Sequence, residues 1–492
     1  MKYFAKLILV AVTILACSSC HKKDFPDNLT CIPQNATLVA NVDLEKLIEK
    51  SNIKDFKTSG LYTLLNQDLL TDEPSLRALL ENPEKSGIAF KQIFGFVTIQ
   101  NGFGISLELK DDDDFKDAIE KFLKEENIDS PIYKTPDFYF LAIPTAKDNT
   151  LLMWDKHKAI IFTKTTRYDA EKIFKTTKET SIVKQKDYAE FYKTRKDISV
   201  WGENKTLYKL LGQHIQNPFL NLDDNATAGT YSHVNLEFLK GEIKISNKVT
   251  PTDSVAKMDK HIFNAQPDNE LLKYLPSKNL VMLKASLNTA TLFAQMGDAE
   301  DLAMLLSPKL IQAIHSIKGD VVLTLLNSSE YNLPQVAIGI TAKDESLKNV
   351  LLNEVYKTSP KSELGGYTEV RVSGLTVFVA QKNTHLLISN NENVIRFFVK
   401  GQTVPASMAS VKDIKESPAY FYMNLDFNSY PLMLKSYMQS FGLGDKFNAA
   451  IMFKDVEAKY NPKETTSRYT IRMKDDKQNS FAALINGMGK MN

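Results

Sequence analysis

Apolar positions recur along this chain with two different periods. Ile105, Leu107 and Leu109 alternate with polar residues, as a strand with one wet face requires. Phe115, Ala118, Ile119, Phe122 and Leu123 recur instead at the spacing of one buried helix face. Further strands are expected at 37–43, 94–99, 138–143, 151–154, 159–162 and 198–201, and within 231–245. Asn101-Gly102 between two apolar runs is a hairpin signal. Short helices are expected after Leu44, on the face Leu61, Leu64 and Leu65, and around 168–177. Another is expected at Leu76, Leu79 and Leu80, started by Asp72-Glu73-Pro74, because proline suits a first helical turn.

The plan then repeats. Ile32-Pro33-Gln34-Asn35-Ala36-Thr37-Leu38-Val39-Ala40-Asn41-Val42-Asp43-Leu44 is echoed by Leu275-Pro276-Ser277-Lys278-Asn279-Leu280-Val281-Met282-Leu283-Lys284-Ala285-Ser286-Leu287. After the second copy, Ile317–Leu323 stands for Ile93–Ile99, with Gly319 for Gly95. Val336, Ile338 and Ile340 alternate like Ile105, Leu107 and Leu109, and Lys343–Leu347 opens a helix as Asp112–Phe115 did. Val377–Ala380 is matched to Tyr139–Ala142, and Tyr420–Met423 to Ile198–Trp201. A repeat this long is a duplicated domain rather than a solenoid, whose units run about 20 to 50 residues. The expected fold is α+β: two tandem duplicated domains, each a largely antiparallel sheet packed with helices. The expected divisions are a signal at 1–16, a tether at 17–30, and repeats at 31–265 and 270–492, joined near Asn264–Asn269.

The start of the chain carries an address. Lys2 and Lys6 precede the apolar run Leu7–Ala16, which is shorter than the about 20 residues a membrane span needs. Cys17-Ser18-Ser19-Cys20 follows, and its place after that run resembles a bacterial lipoprotein signal. In such a signal the cysteine becomes the lipidated N-terminus. Cys17 is the favoured acceptor and Cys20 the alternative. Lipid would then be the membrane anchor, each buried CH₂ contributing about 0.8 kcal/mol. Only Cys31 remains in the body, so no disulfide framework is expected, although Cys20 and Cys31 are candidates to pair in an oxidising compartment. The charges after the signal, His21-Lys22-Lys23, are basic, which favours the periplasmic face of an outer membrane over the cell surface.

Signal, tether and the motif Ile-Pro-x-x-Ala-x-Leu-Val-x-x-Val-Asp-Leu together resemble a Bacteroidetes lipoprotein family catalogued as domain of unknown function 4836. The resemblance implies an envelope lipoprotein and carries over no catalytic residue.

Composition narrows the chemistry. With 61 Lys and Arg against 59 Asp and Glu, the net charge of +2 leaves no electrostatic footprint for nucleic acid. His157, His214, His233, His261, His315 and His385 are scattered, so neither a metal site nor a cofactor is expected. Asp111–Asp114 lacks the alternation, glycine and distal glutamate of a calcium loop, and acids at a helix start explain it better. No phosphate loop or nucleophile elbow is present. Trp154 and Trp201 are expected in the core, whereas Tyr420 and Tyr422 alternate on one strand face and are candidates to stack sugars. Asp253-Ser254-Val255 resembles the O-glycosylation sites of exported Bacteroidetes proteins, with Ser254 as acceptor. No catalytic residue is assigned. The leading expectation is therefore a lipid-anchored, non-catalytic binding or interaction scaffold for an envelope protein partner. A lipoprotein capturing a glycan or lipid ligand comes second, and a hydrolase with a non-local site third.

Overall fold

The computed structural model describes residues 25–52, 83–98, 102–125, 127–144, 149–211, 229–250, 263, 267–289, 291, 307–326, 333–372, 374–440 and 451–488. Cys17, Cys20, Ser254, the helices expected within 53–82 and residues 264–266 of the join lie outside them. The chain divides into two compact units, Met1–Glu45 with Asp68–Arg195, and Lys46–Gln67 with Lys196–Asn492. Both are α+β, and every strand pairing within them is antiparallel.

In the first unit the strands are β1 (Ala36–Asp43), β2 (Ile88–Thr98), β3 (Phe103–Leu109), β4 (Tyr133–Lys134), β5 (Tyr139–Pro144), β6 (Asn149–Trp154) and β7 (Lys158–Thr163). They pair in the order β1-β2-β3-β7-β6-β5-β4. The helix Asp112–Glu125 turns Phe115 and Leu123 onto Leu109, Leu141, Leu152 and Trp154. Its first turn explains the aspartate run, since Asp111 Oδ1 accepts the N–H groups of Asp113 at 3.0 Å and Asp114 at 2.9 Å. Those donors have no partner inside the helix, so a carboxylate ahead of them caps it. Trp154 is fully buried, with Tyr139 stacked on it at 5.1 Å and Phe115 edge-on at 5.6 Å.

The second unit holds β8 (Ile198–Glu203), β9 (Tyr231–Leu239), β10 (Glu242–Thr250), β11 (Asn279–Asn288), β12 (Ile317–Leu326), β13 (Gln335–Ala342) and β14 (Lys361–Leu364). It continues with β15 (Tyr367–Val372), β16 (Leu375–Lys382), β17 (His385–Ser389), β18 (Ala419–Asn424), β19 (Phe453–Asn461) and β20 (Thr466–Met473). One run is β8-β9-β10-β20-β19-β18-β11, and it continues as β12-β13-β17-β16-β15-β14. The core lies where the helix Glu392–Lys400 drops Val394, Ile395 and Phe398 onto Met282, Val322, Ala380 and Leu387. Among the described residues no helix is long and apolar enough to cross a membrane.

The two echoed motifs are held in the same way. Ile182 N–H donates to Ile32 O and Gln34 N–H to Thr180 O, while Met408 N–H donates to Leu275 O and Ser277 N–H to Ala406 O. Pro33 bridges Ser181 as Pro276 bridges Ser407. Ile32, Ile182, Leu275 and Met408 are all fully buried. The motif thus docks the entry of β1 and of β11 onto a short 3-10 turn, which is an architectural task.

Two details of the expected alignment are corrected by the strand ladders. Val377–Ala380 lies on β16, whereas Tyr139–Ala142 lies on β5, whose counterpart in strand order is β15. Gly95 pairs with Ala40, whereas Leu283, which echoes Ala40, pairs with Leu323; Gly319 pairs with Leu287, beside a break in the β12–β13 register, with φ +144°. A bulge inserts residues on one strand without changing the apolar pattern around it, which is how such a slip arises.

Cys31 is fully buried and free, its Sγ donating to Asn28 O at 3.2 Å and lying 3.3 Å from Ser106 Oγ. Burial pushes its thiol pKa up, and a thiol without thiolate character reacts slowly. Native protein is therefore expected to resist iodoacetamide at Cys31 and to be alkylated fully once unfolded, without reductant. Peptide mapping that finds Cys31 linked to Cys20 would count against this placement.

Candidate functional site

A groove of about 610 Å³ lies in the second unit, on one face of β9, β10, β20 and β19. Side chains alternate across a strand, so register decides what faces it. Asn235, Ser246, Arg468 and Lys459 stand opposite one another in one cross-strand row. Glu237, Lys244, Thr470 and Glu457 form the next. Lys196 closes one end, while Asp413, Glu416, Ser417 and Pro418 build a wall from the helix Lys412–Glu416 and the turn after it. The β9–β10 and β19–β20 hairpins meet at the β10–β20 ladder, which runs along the floor.

Charges on this face are interleaved. Lys196 pairs with Glu237 at 3.1 Å, and Lys459 contacts Asp413 at 2.8 Å and Glu457 at 2.6 Å. Beside the groove, Arg472 spans Asp455 at 2.8 Å and the second Glu457 oxygen at 2.7 Å, with both carboxylates nearly buried. Partial burial pulls the Lys459 pKa down, but its bonds to Asp413 and Glu457 outweigh that and leave it raised. Each of these carboxylates is already engaged by a cation. The groove accordingly offers fixed donors and acceptors of both signs, and its lining holds no His and no Cys among the described residues.

The wall is clamped from below. Lys284, on β11, has a fully buried side chain whose Nζ donates to Ile414 O at 2.9 Å and to Asn269 Oδ1 at 2.7 Å. Asn269 Nδ2 donates in turn to Lys415 O at 3.1 Å, and its N–H to Asp320 Oδ2 at 2.7 Å. Asp320 also accepts from Ser286 and lies 3.9 Å from Lys284. Burial lowers the Lys284 pKa to about 8 against the opposing pull of Asp320 and Asp268.

The tyrosines expected to stack sugars do not form a platform. Tyr420 is buried and Tyr422 half-buried, and burial raises the pKa of both, with the charges of Glu457 and Asp455 adding to it. On β18 they face the buried ladder beside Lys459 and Glu457. Trp201 is fully buried and stacks on Tyr231 at 5.0 Å. Among the described residues, no group of three or more His, Cys, Asp or Glu is placed to hold a metal ion. His385 instead pairs with Asp268, which also accepts from Thr341 at 3.2 Å. The groove was missed in sequence because its rows join residues from both halves of the chain. The alternation of Lys244, Ser246 and of Arg468, Thr470 was its only local trace.

None of the curated proteins matches this chain. Two solved structures are similar in part, crystal forms IV and I of TP0453, at 11% and 10% identity with TM-scores of 0.28 and 0.29. They cover 47% and 50% of this chain and 83% and 90% of theirs. Scores this low establish neither a common fold nor a common role. The family model described as "Domain of unknown function (DUF4836)" matches residues 28–481, and the chain belongs to that family.

Proposed function

We propose that the protein is a lipid-anchored component of the cell envelope that acts as a non-catalytic binding scaffold built from two similar repeats. The observation that carries the binding reading is the polar groove along the β10–β20 ladder, in which Lys196 pairs with Glu237 and Lys459 with Asp413 and Glu457. An enzyme of general acid–base type needs a group left ready to exchange protons, whereas Glu237, Asp413 and Glu457 are each held by a lysine. Interleaved donors and acceptors suit a neutral or zwitterionic polar ligand, such as a peptide segment or a glycan. Support for the repeats comes from strand order. β1-β2-β3-β7-β6-β5-β4 is matched by β11-β12-β13-β17-β16-β15-β14, and the meander β8-β9-β10 by β18-β19-β20. The lipid anchor rests on the signal before Cys17 and Cys20.

A photo-crosslinking residue placed at Arg468 or Lys463 in the lipidated protein tests the binding reading in intact cells. Discrete adducts from both positions are expected, and none from Tyr168, which is 77% exposed elsewhere. Equal yields from all three positions, or no adduct at all, would count against the groove. The anchor is tested separately by labelling with an alkyne analogue of palmitate. Label should vanish in Cys17→Ser, while loss only in Cys20→Ser would move the site, and an unlabelled wild type would remove the anchor.

A further inference from the structure

The run of strands in the second unit ends at β14, which among the described residues pairs on one edge alone, with β15. All 4 of its residues are exposed. Arg371 N–H donates to Pro360 O at 3.1 Å, which sets the phase of this antiparallel ladder. Backbone groups alternate in direction along a strand. Those of Pro360, Ser362 and Leu364 therefore point at β15, and those of Lys361 and Glu363 point out of the edge. An open edge of this kind is a template for another strand.

Phase and charge together select the strand that fits. Where two edges pair antiparallel, outward-pointing residues must stand opposite one another. A second copy of β14 meets that condition when a two-fold axis passes through Lys361, Ser362 or Glu363. An axis at Lys361 sets lysine against lysine, and one at Glu363 sets glutamate against glutamate, and like charges directly opposite are destabilising. With the axis at Ser362, Lys361 of each copy faces Glu363 of the other. Glu363 Oε1 already accepts from Thr368 Oγ1 at 2.8 Å, and a carboxylate has a further oxygen to offer a cation. A foreign apolar strand would meet both charges and neutralise neither, which is how charged edges reject general partners. The edge is its own complement, as an isologous interface requires.

We propose that two copies of this chain associate through β14, paired antiparallel about a two-fold axis at Ser362. Lys361 N–H donates to Glu363 O of the other copy, whose Glu363 N–H donates back to Lys361 O, and the symmetric pair does the same. So short an edge buries far less than the about 1,200 Å² of a stable interface, so the association is weak and is best read by covalent trapping. It depends on neither the groove nor the lipid anchor.

Ser362→Cys in the full chain is the test. At the axis the two residues form a non-hydrogen-bonded pair with Cα atoms about 4.5 Å apart, within the about 4.4–6.8 Å that a disulfide spans. Mild oxidation should yield at least about tenfold more disulfide-linked dimer than Leu364→Cys, whose cysteine would face Pro360 and stand away from its own copy. Wild type sets the background from the native cysteines. Adding Lys361→Glu to Ser362→Cys sets glutamate against glutamate and should cut the yield by about fivefold or more. Equal yields from the two cysteine variants overturn the proposal, as does a yield no higher than wild type or one indifferent to the charge reversal. Should Ser362→Cys not fold, wild type mixed from ¹⁴N-labelled and ¹⁵N-labelled chains and treated with a carbodiimide decides the matter. Lys361–Glu363 amides that join the two labels support the pairing, and their absence overturns it.

Discussion

Lys284→Ala is expected to destabilise the protein by about 3–5 kcal/mol, because it leaves the buried Asp320 charge without its cation. It also orphans Ile414 O and Asn269 Oδ1, so the helix Lys412–Glu416 loses its tie to β11. The loss should appear as a lower denaturant midpoint at unchanged slope. Asp320→Ala should be similarly costly, since Ser286 and the Asn269 N–H lose their acceptor. The double variant should cost less than the two together by about 0.5–3 kcal/mol, as expected for contacting partners. Strict additivity would mean that the two charges do not interact.

The same lysine sets a pH dependence with a definite sign. Its folded pKa of about 8 lies below the 10.5 of a free lysine. Between these values the unfolded chain binds more protons than the native one, so stability rises with pH across the window. Below about pH 8 the cost of holding the ammonium in the core is fully present. The deficit of Lys284→Ala relative to wild type should therefore widen from pH 8 to 10.5, by up to about 3 kcal/mol. A constant deficit would return the folded pKa to the ordinary range.

Lys284 also marks where sequence reading stopped. Period-two alternation identifies the strand, and Leu283-Lys284-Ala285 reads naturally as leucine inside and lysine outside. The structure does the opposite, with Leu283 at 45% exposure and Lys284 at 1%. Period alone gives two faces without saying which is covered, and here polar partners from a distant helix and from Asn269 pull the lysine inward. Elements whose signal is local were legible. The helix Asp112–Glu125, the cap at Asp111 and the strands up to β10, except the two-residue β4, follow from spacing and turn chemistry. β19 and β20 were not read, although Val456, Ala458 and Tyr460 alternate with Asp455, Glu457 and Lys459, and Tyr469, Ile471 and Met473 with Arg468, Thr470 and Arg472. The order of strands was legible only as an echo between halves, since register depends on bulges that leave the composition untouched.

Gly87→Ala tests a different kind of constraint and should be at least as severe. Gly87 has φ +68°, a conformation that costs any other residue strain, and its carbonyl accepts from Lys110 and Asp111. A methyl group there would stand 2.2 Å from Asp111 O and 2.4 Å from Phe115 N. Both are backbone atoms of the cap and first turn of the helix Asp112–Glu125, so no rotamer change relieves the clash. The helix start would have to lift off the end of β2, taking Phe115 away from Trp154 and opening the first unit's core. A loss of at least about 3 kcal/mol is expected, from strain and lost packing together. Tryptophan emission should shift red as Trp154 becomes wet, while Trp201 in the second unit keeps its buried signal. Gly365→Ala is the control for strain alone, because its φ is +40° and nothing lies within 4 Å of the added methyl. It should cost about 1 kcal/mol. Equal losses at the two glycines would assign the Gly87 effect to backbone conformation and remove the close approach from the account.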